Sequence, residues 1–317
     1  MIGNILNIRE KLKELSLEEQ KKLREEFRMF LIKSPQDFNN LYKELGNIPS
    51  DPIREPYSFD KLTNQKIKSV SDELKVKGIS LWPQFYSKEK TSALATLANK
   101  CLDSTKKWLM SRNDTFSVHK DEELGCEHLG SRKSLLTGRT RTRFINEKSG
   151  HKSYLVNELF NDLRINQVGR LLFNAHSFKS YFLFEKLTPS SIPDYWHIDG
   201  VLDQYKAMIL LEDVGEEEGP MFFKPATNDF LGHKLSPMLH STFAHGRSWG
   251  CYPPYDIIDG LGIPTYKATG KAGDAIFFDT KHIHRGSICK RGHRLGLVSY
   301  LGVETARNQV LRLLGVD

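Results

Sequence analysis

His197 and Asp199 stand two residues apart in the stretch Tyr195-Trp196-His197-Ile198-Asp199-Gly200. On a β-strand successive side chains alternate faces, so this imidazole and this carboxylate point the same way while Ile198 packs behind them. Such a pair is half of a metal site. A second imidazole from another strand would complete the two-histidine, one-carboxylate set that leaves coordination positions open on non-haem Fe(II). The chain offers two candidates in Lys281-His282-Ile283-His284, and both can face inward because they too are two apart. The plainer alternative is that His197 and Asp199 form a structural hydrogen-bonded pair, since a lone His-X-Asp occurs by chance in many proteins.

The elements that must carry these residues come late in the chain. From Ser177 onward the hydrophobic period is two: KSYFLFEKL, PDYWHIDG, YKAMILLEDV, GPMFFKPA, GDAIFFD, HIHRGSI and HRLGLVSYLG read as short strands separated by turn residues. That pattern predicts an all-β sandwich or barrel. DVGEEEGPMFF reads as a hairpin with an acidic tip and a Gly219-Pro220 turn. On the strands beside the candidate ligands, Tyr195 shares the face of His197 and Asp199, and Lys206 and Met208 share one face of the next strand. All three are candidates for lining a cosubstrate pocket. Lys206 is the most informative, because a lysine turned into a barrel needs a carboxylate or phosphate partner.

Upstream, residues 1 to about 47 are helical in pattern, with Ser16-Leu17-Glu18-Glu19 as a capping-box start. Leu17, Leu23, Phe27, Phe30 and Leu31 fall near one face, which must dock on the main domain or on a second copy of the chain. Pro49, Pro52 and Pro56 mark a linker, Gly78 to Pro83 has strand character, and Ser87 caps a helix to about Trp108 with Leu94, Leu97 and Leu102 on its buried side. One further helix is expected through YLVNELFNDLRINQVGRLLFN. Between the two, the basic stretch from Ser111 to Arg143, with Arg132, Lys133, Arg139, Arg141 and Arg143, reads as a solvated loop or edge strand, or as a contact for an anionic substrate. The expected division is a helical extension and linker over 1–75 and the main domain over 76–317.

Composition narrows the class. Among 317 residues, 39% are hydrophobic and 27% charged, an ordinary globular balance. The net charge of +7 suits anionic small molecules, but Lys and Arg are spread along the chain, so nucleic acid is not the expected partner. Cys101, Cys126, Cys251 and Cys289 are widely separated with no CxxC pair; they read as reduced thiols of a cytoplasmic protein, which argues against a structural zinc knot. No apolar run approaches the ~20 residues of a membrane-spanning helix, so membrane insertion is not expected.

The late part of the chain resembles the phytanoyl-CoA dioxygenase family of Fe(II)/2-oxoglutarate-dependent oxygenases. The resemblance rests on WHIDG, on LEDVGEEEGPMFFKPATN, and on GDAIFFD leading to HIHRG, and covers roughly residues 75 to 305. It implies a double-stranded β-helix (jelly-roll, cupin-like) core with flanking helices, with Fe(II) and 2-oxoglutarate as cofactors. In that family the distal ligand falls ten residues after the aspartate of the Gly-Asp turn, here Asp274, which selects His284 and leaves His282 near the substrate or behind the ligands. It also implies an arginine about ten residues beyond that ligand to grip the far carboxylate of 2-oxoglutarate. Arg294 stands there, with Arg291 as the fallback. A planar guanidinium suits that task because it bonds a carboxylate through two parallel hydrogen bonds. Alternation agrees, since Arg294, Gly296, Val298 and Tyr300 share one strand face.

The chemistry implied is oxygenation by O2 with release of succinate and CO2, most simply hydroxylation of an unactivated C–H bond in a small anionic metabolite. Related halogenases lack the carboxylate ligand, and Asp199 is present, which disfavours halogenation. The insertion over 226–272 carries His233, His240, His245, Arg247, Trp249, Tyr252 and Tyr255 and reads as a substrate lid, with Arg247, Trp249 and His282 as candidate substrate contacts. Pro225-Ala226-Thr227-Asn228 replaces the family's Pro-Gly-Ser-His turn. The competing classes are a catalytically silent jelly-roll binding protein and a zinc-dependent enzyme on the same scaffold; the latter would need no oxoacid-gripping arginine.

Overall fold

In the computed structural model, which describes residues 14–33, 40, 44, 57–145, 151–190, 194–200, 202–225, 227, 249–251, 258, 260 and 262–313, the late strands build two sheets. In chain order the strands are β1 (Ile79–Trp82), β2 (Ser117–Asp121), β3 (Cys126–Gly130), β4 (Arg139–Ile145), β5 (Ser177–Leu187), β6 (Ile198–Gly200), β7 (Gln204–Leu210), β8 (Met221–Phe223), β9 (Trp249–Cys251), β10 (Tyr266–Ala268), β11 (Ala275–Asp279), β12 (His284–Gly286) and β13 (Arg294–Val303). Eight form one antiparallel sheet in the order β1-β11-β7-β13-β5-β4-β3-β2. A smaller sheet runs β10-β8-β12, and β6 pairs with β9. A two-way backbone bridge between His197 and His284 joins the segment leading into β6 to β12. This is the mainly β jelly-roll expected from the sequence.

Both faces of the large sheet are covered, which explains why its strands read as near-continuous apolar runs. Phe182, Phe184, Ala207, Ile209, Phe277, Leu295 and Leu297 face a helical layer. The alternating set, Leu183, Met208, Leu210, Ile276, Phe278 and Val298, packs with Phe223 of the small sheet.

The helices are α1 (Leu17–Lys33), α2 (Lys61–Lys77), α3 (Lys88–Met110), α4 (Arg132–Leu136), α5 (Tyr154–Asn161), α6 (Leu163–Phe173) and α7 (Ala306–Leu313). The Ser16 capping box forms, with Glu19 accepting from both the backbone N–H and the hydroxyl of Ser16. Leu17 is exposed; the side chains of Phe27, Phe30 and Leu31 lie outside the described residues. Asp60 caps α2 by accepting from Thr63 N–H at 3.0 Å, and Ile67, Val70 and Leu74 sit in the main core on the N-terminal side of the boundary expected at 75/76. Ser87 caps α3, whose Leu94 and Leu102 are fully buried and whose Leu97 is partly so. Each fully buried leucine contributes roughly 1.5–3 kcal/mol relative to exposure.

Four expectations need correction. The basic stretch Ser111 to Arg143 is not a loop: it holds β2, β3, α4 and β4, of which β2 is an edge strand, as the alternative reading had it, while β4 is interior, paired to β3 and β5. The single helix expected over 154–174 is two, because Asp162 leaves helical geometry (ψ 99°) and its carboxylate then caps α6 by accepting from Arg164 N–H. DVGEEEGPMFF is not a hairpin: β7 is already flanked by β11 and β13, so the segment crosses between the sheets, with Val214 bridged to Gly270 and Glu218 to Cys289. Finally, the chain does not stay β to its end, because α7 follows β13. Asp203 accepts from Thr305 Oγ1 (2.8 Å), Arg307 Nη1 (2.9 Å) and Lys281 Nζ (2.6 Å), tying α7 to the turn before β12. Among the described residues no helix is long and apolar enough to cross a membrane.

Candidate metal centre

His197 and Asp199 flank the fully buried Ile198, as alternation requires. His284 opens β12, and its backbone exchanges two 2.9 Å hydrogen bonds with that of His197, while Asp199 N–H donates to Thr280 O. The three side chains therefore arrive from adjacent strand segments. One ligand atom from each lies within 4.8 Å of the others; His197 Nε2 is 3.8 Å and His284 Nε2 is 3.5 Å from the Asp199 carboxylate.

The hydrogen bonds fix which nitrogen carries the proton. His197 Nδ1 is 2.8 Å from Tyr195 O, and His284 Nδ1 is 2.7 Å from His282 O. A carbonyl only accepts, so both Nδ1 atoms carry the proton and both Nε2 lone pairs face Asp199. Metal-binding histidines are set in this way by their outer partners. Burial, then the neighbouring His284, pushes the His197 pKa down to about 4, so its ring is neutral near pH 7. Burial opposes ionisation of Asp199, but Lys206 and the two histidines hold its carboxyl far below the ordinary range.

Lys206 reaches in from β7. Its Nζ sits 2.7 Å from Asp199 Oδ2 and 4.2 Å from the centre of the Tyr300 ring. Burial disfavours this ammonium, but Asp199 and Tyr300 outweigh burial and raise its pKa. The carboxylate partner that an inward lysine requires is thus Asp199 itself. The donor set, two neutral imidazoles and one carboxylate with the remaining directions facing a cavity, fits a facially ligated divalent ion.

That cavity, about 530 Å³, lies between the sheets. Besides the three ligands its wall includes Tyr195, Lys206 and Met208, all three expected there, and Tyr181, Gln204, Val298 and Tyr300. Tyr195 is at the rim, 63% exposed. Arg139, Arg141, Glu185 and Asp194 form its polar end. Arg141 Nε donates to Glu185 Oε2 at 2.8 Å, and Arg139 is bidentate to Asp194 and 3.5 Å from Glu185.

Arg294 is on the expected strand face but is wholly buried. Its Nη2 donates to Glu185 Oε1 at 2.8 Å and its Nη1 to Gly219 O at 2.6 Å, so it stands behind Glu185 on the cavity wall. Three arginines therefore surround one carboxylate. Burial raises the pKa of Glu185, but Arg139, Arg141 and Arg294 overcome it and hold the carboxyl well below the usual range. Arg291, the fallback, is exposed and paired with Glu217.

His282 serves the site through its carbonyl. Its ring is buried against Gly78, where an added Cβ would come within 2.3 Å of three ring atoms, so it packs behind the ligands rather than on the cavity wall. Arg247 and the other named side chains of the insertion lie outside the described residues; Trp249 is placed only as the start of β9, paired to Gly200. Glu185 escaped sequence reasoning. Its signal was a lone acid next to the apolar run Tyr181–Phe184, in register with Arg141.

No protein-family model matches the chain, and no curated protein sequence matches it. Solved structures match its fold. The carbocyclase SnoK from nogalamycin biosynthesis, described as non-heme and alpha-ketoglutarate dependent, is 15% identical over 79% of this chain and 87% of its own, with a TM-score of 0.51. EctD from S. alaskensis matches at a TM-score of 0.50 both in its apoform (16% identity) and with bound Fe (13%), over 80% of this chain and 81% of that one. At such identities the likeness is one of fold.

Proposed function

We propose that the protein is an Fe(II)- and 2-oxoglutarate-dependent dioxygenase of the phytanoyl-CoA dioxygenase type, acting on a small anionic metabolite. The observation that carries this reading is the triad of His197, Asp199 and His284, with both Nε2 lone pairs preset by backbone carbonyls and a cavity on the open side. SnoK and EctD, whose fold this chain shares, are described with alpha-ketoglutarate dependence and with bound Fe respectively, which supports the choice of iron and 2-oxoglutarate.

His197, Asp199 and His284 would hold the iron. Bound there with 2-oxoglutarate and O2, it would supply an oxidant for an unactivated C–H bond, with succinate and CO2 released. The chain's own residues do the rest. Arg141 and Arg294, both bonded to Glu185, would hold the far carboxylate of 2-oxoglutarate. Lys206 holds the orientation of Asp199 and keeps positive charge beside the cosubstrate. Tyr181 and Tyr300, stacked at 4.3 Å, and Met208 exclude water from one side. Four cations, Arg139, Arg141, Arg294 and Lys206, face three carboxylates, Glu185, Asp194 and Asp199, so the site favours anions before any metal binds. Hydroxylation is the outcome these ligands serve most simply.

The test is an untargeted metabolite screen for succinate release in the presence of Fe(II), 2-oxoglutarate and O2. We expect an anionic substrate to accelerate succinate formation in the wild type and not in His284→Ala. Succinate formation by neither protein with any pool would refute the reading.

A further inference from the structure

At the far edge of the large sheet a second group of potential metal ligands converges, with no part in the cavity. Asp121 ends β2 and Cys126 opens β3, directly opposite each other across the strand pair; His128 lies two residues further along β3. One ligand atom from each lies within 4.8 Å of the others. Cys126 and His128 are buried, and Asp121 is at the rim. From α3 the buried Cys101 lies beside Cys126. A thiol, an imidazole and a carboxylate thus meet where a helix crosses a hairpin.

The surrounding hydrogen bonds orient the imidazole as a ligand. Thr105 Oγ1 lies 3.1 Å from Cys101 O, 2.7 Å from His128 Nδ1 and 2.6 Å from Thr142 Oγ1. With its proton on Cys101 O, the usual arrangement of a helical threonine, it accepts from Nδ1, and Nε2 turns its lone pair toward Asp121 Oδ2 at 3.1 Å. Ser104 Oγ stands within 3.3 Å of both atoms but has one proton to give. A cation satisfies the two acceptors together. Metal–ligand bonds of about 2.0–2.3 Å in a tetrahedron put donor atoms roughly 3.3–3.8 Å apart, which the His128–Asp121 separation of 3.1 Å approaches and the 4.8 Å limit on the group exceeds.

We propose that Asp121, Cys126 and His128 form a structural site for a zinc-type divalent cation where α3 crosses the β2–β3 hairpin. A soft thiolate with an imidazole selects zinc over the harder ions. Its consequence for the rest of the molecule is mechanical: β3 pairs with β4, the strand that presents Arg139 and Arg141 to the cavity. The isolated spacing of the cysteines argues against a zinc knot in sequence, but the fold brings Cys101 and Cys126 together.

Cobalt(II) alone, added to the full chain, separates this site from the iron triad, which contains no sulfur. In His197→Ala, where the triad is broken, one equivalent of cobalt should still produce a near-ultraviolet thiolate-to-cobalt charge-transfer band and the intense visible bands of a tetrahedral site. Cys126→Ala should abolish the thiolate band. Asp121→Asn, which leaves the buried thiols in place, should weaken cobalt binding at least tenfold, and added zinc should protect Cys126 from thiol reagents in the His197→Ala chain. A folded protein without a thiolate band, a band that survives Cys126→Ala, or unchanged affinity in Asp121→Asn would each overturn the assignment.

Discussion

Replacing Glu185 by glutamine removes the carboxylate that Arg294 touches, and the structure sets the size of the effect. Arg294 is wholly buried, so its pair with Glu185 at 2.8 Å is screened little by water. Arg141, at 37% exposed, and Arg139, 3.5 Å from the carboxylate, contribute less. Glutamine keeps one oxygen for Arg294 but turns an N–H2 toward a guanidinium that also donates. Leaving one buried charge without its partner costs about 3–5 kcal/mol, and the retained oxygen places this change at the lower end, about 3 kcal/mol. At ~2–4 °C per kcal/mol for a chain of this size, Tm should fall by roughly 6–12 °C. The second half of the prediction is functional. Freed arginines should take an external carboxylate more readily, so saturating 2-oxoglutarate should raise Tm more in Glu185→Gln than in the wild type. A tenfold gain in affinity corresponds to about 1.4 kcal/mol. Because the folded Glu185 pKa lies below its ordinary 4.5, the wild type's advantage is full above that pH and is lost as pH falls below it. Differential scanning fluorimetry with and without 2-oxoglutarate reads both halves. A variant as stable as the wild type, or one that gains less from 2-oxoglutarate, would refute the reasoning.

Three further perturbations probe the frame of the site. His282→Ala should retain iron in a metal assay and lose stability, whereas His284→Ala should lose iron; the reverse pattern would exchange the two assignments. Asp203→Asn should cost about 2 kcal/mol near neutral pH, since Lys281 and Arg307 overcome burial to hold the Asp203 pKa at about 2 against an ordinary 3.8. That penalty should be lost as pH falls from 3.8 through about 2, as denaturant titrations at several pH values will show. Gly78→Ala should destabilise by more than about 1 kcal/mol in urea unfolding, because φ is +75° and the new Cβ would strike the His282 ring.

Half of the candidate metal centre was legible in the sequence because its geometry is local. His197 and Asp199 share a face through the pleat alone, and strand alternation also put Lys206, Met208, Val298 and Tyr300 on the cavity side. What it did not carry depends on pairing between distant segments. The basic stretch around Arg141 looks solvated until β4 is paired to β5, when Arg141 and Glu185 become cross-strand neighbours. Cys101 and Cys126 are 25 residues apart and become neighbours only when α3 packs on β3. The supposed hairpin at 213–223 has every local mark of one, an acidic turn between apolar runs; its strands part because β7 finds better partners in β11 and β13. The kink at Asp162 was hidden for the opposite reason, since the apolar spacing continues through it.

The central claim is that His197, Asp199 and His284 hold an Fe(II) that 2-oxoglutarate chelates. Anaerobic addition of Fe(II) and 2-oxoglutarate to the purified protein measures this directly by visible absorption. The account predicts the charge-transfer band of an iron-chelated oxoacid in the wild type, weakened in Arg294→Ala and absent in His197→Ala and Asp199→Ala. Well-folded wild-type protein that shows no band, or a band that persists without His197 and Asp199, would contradict it.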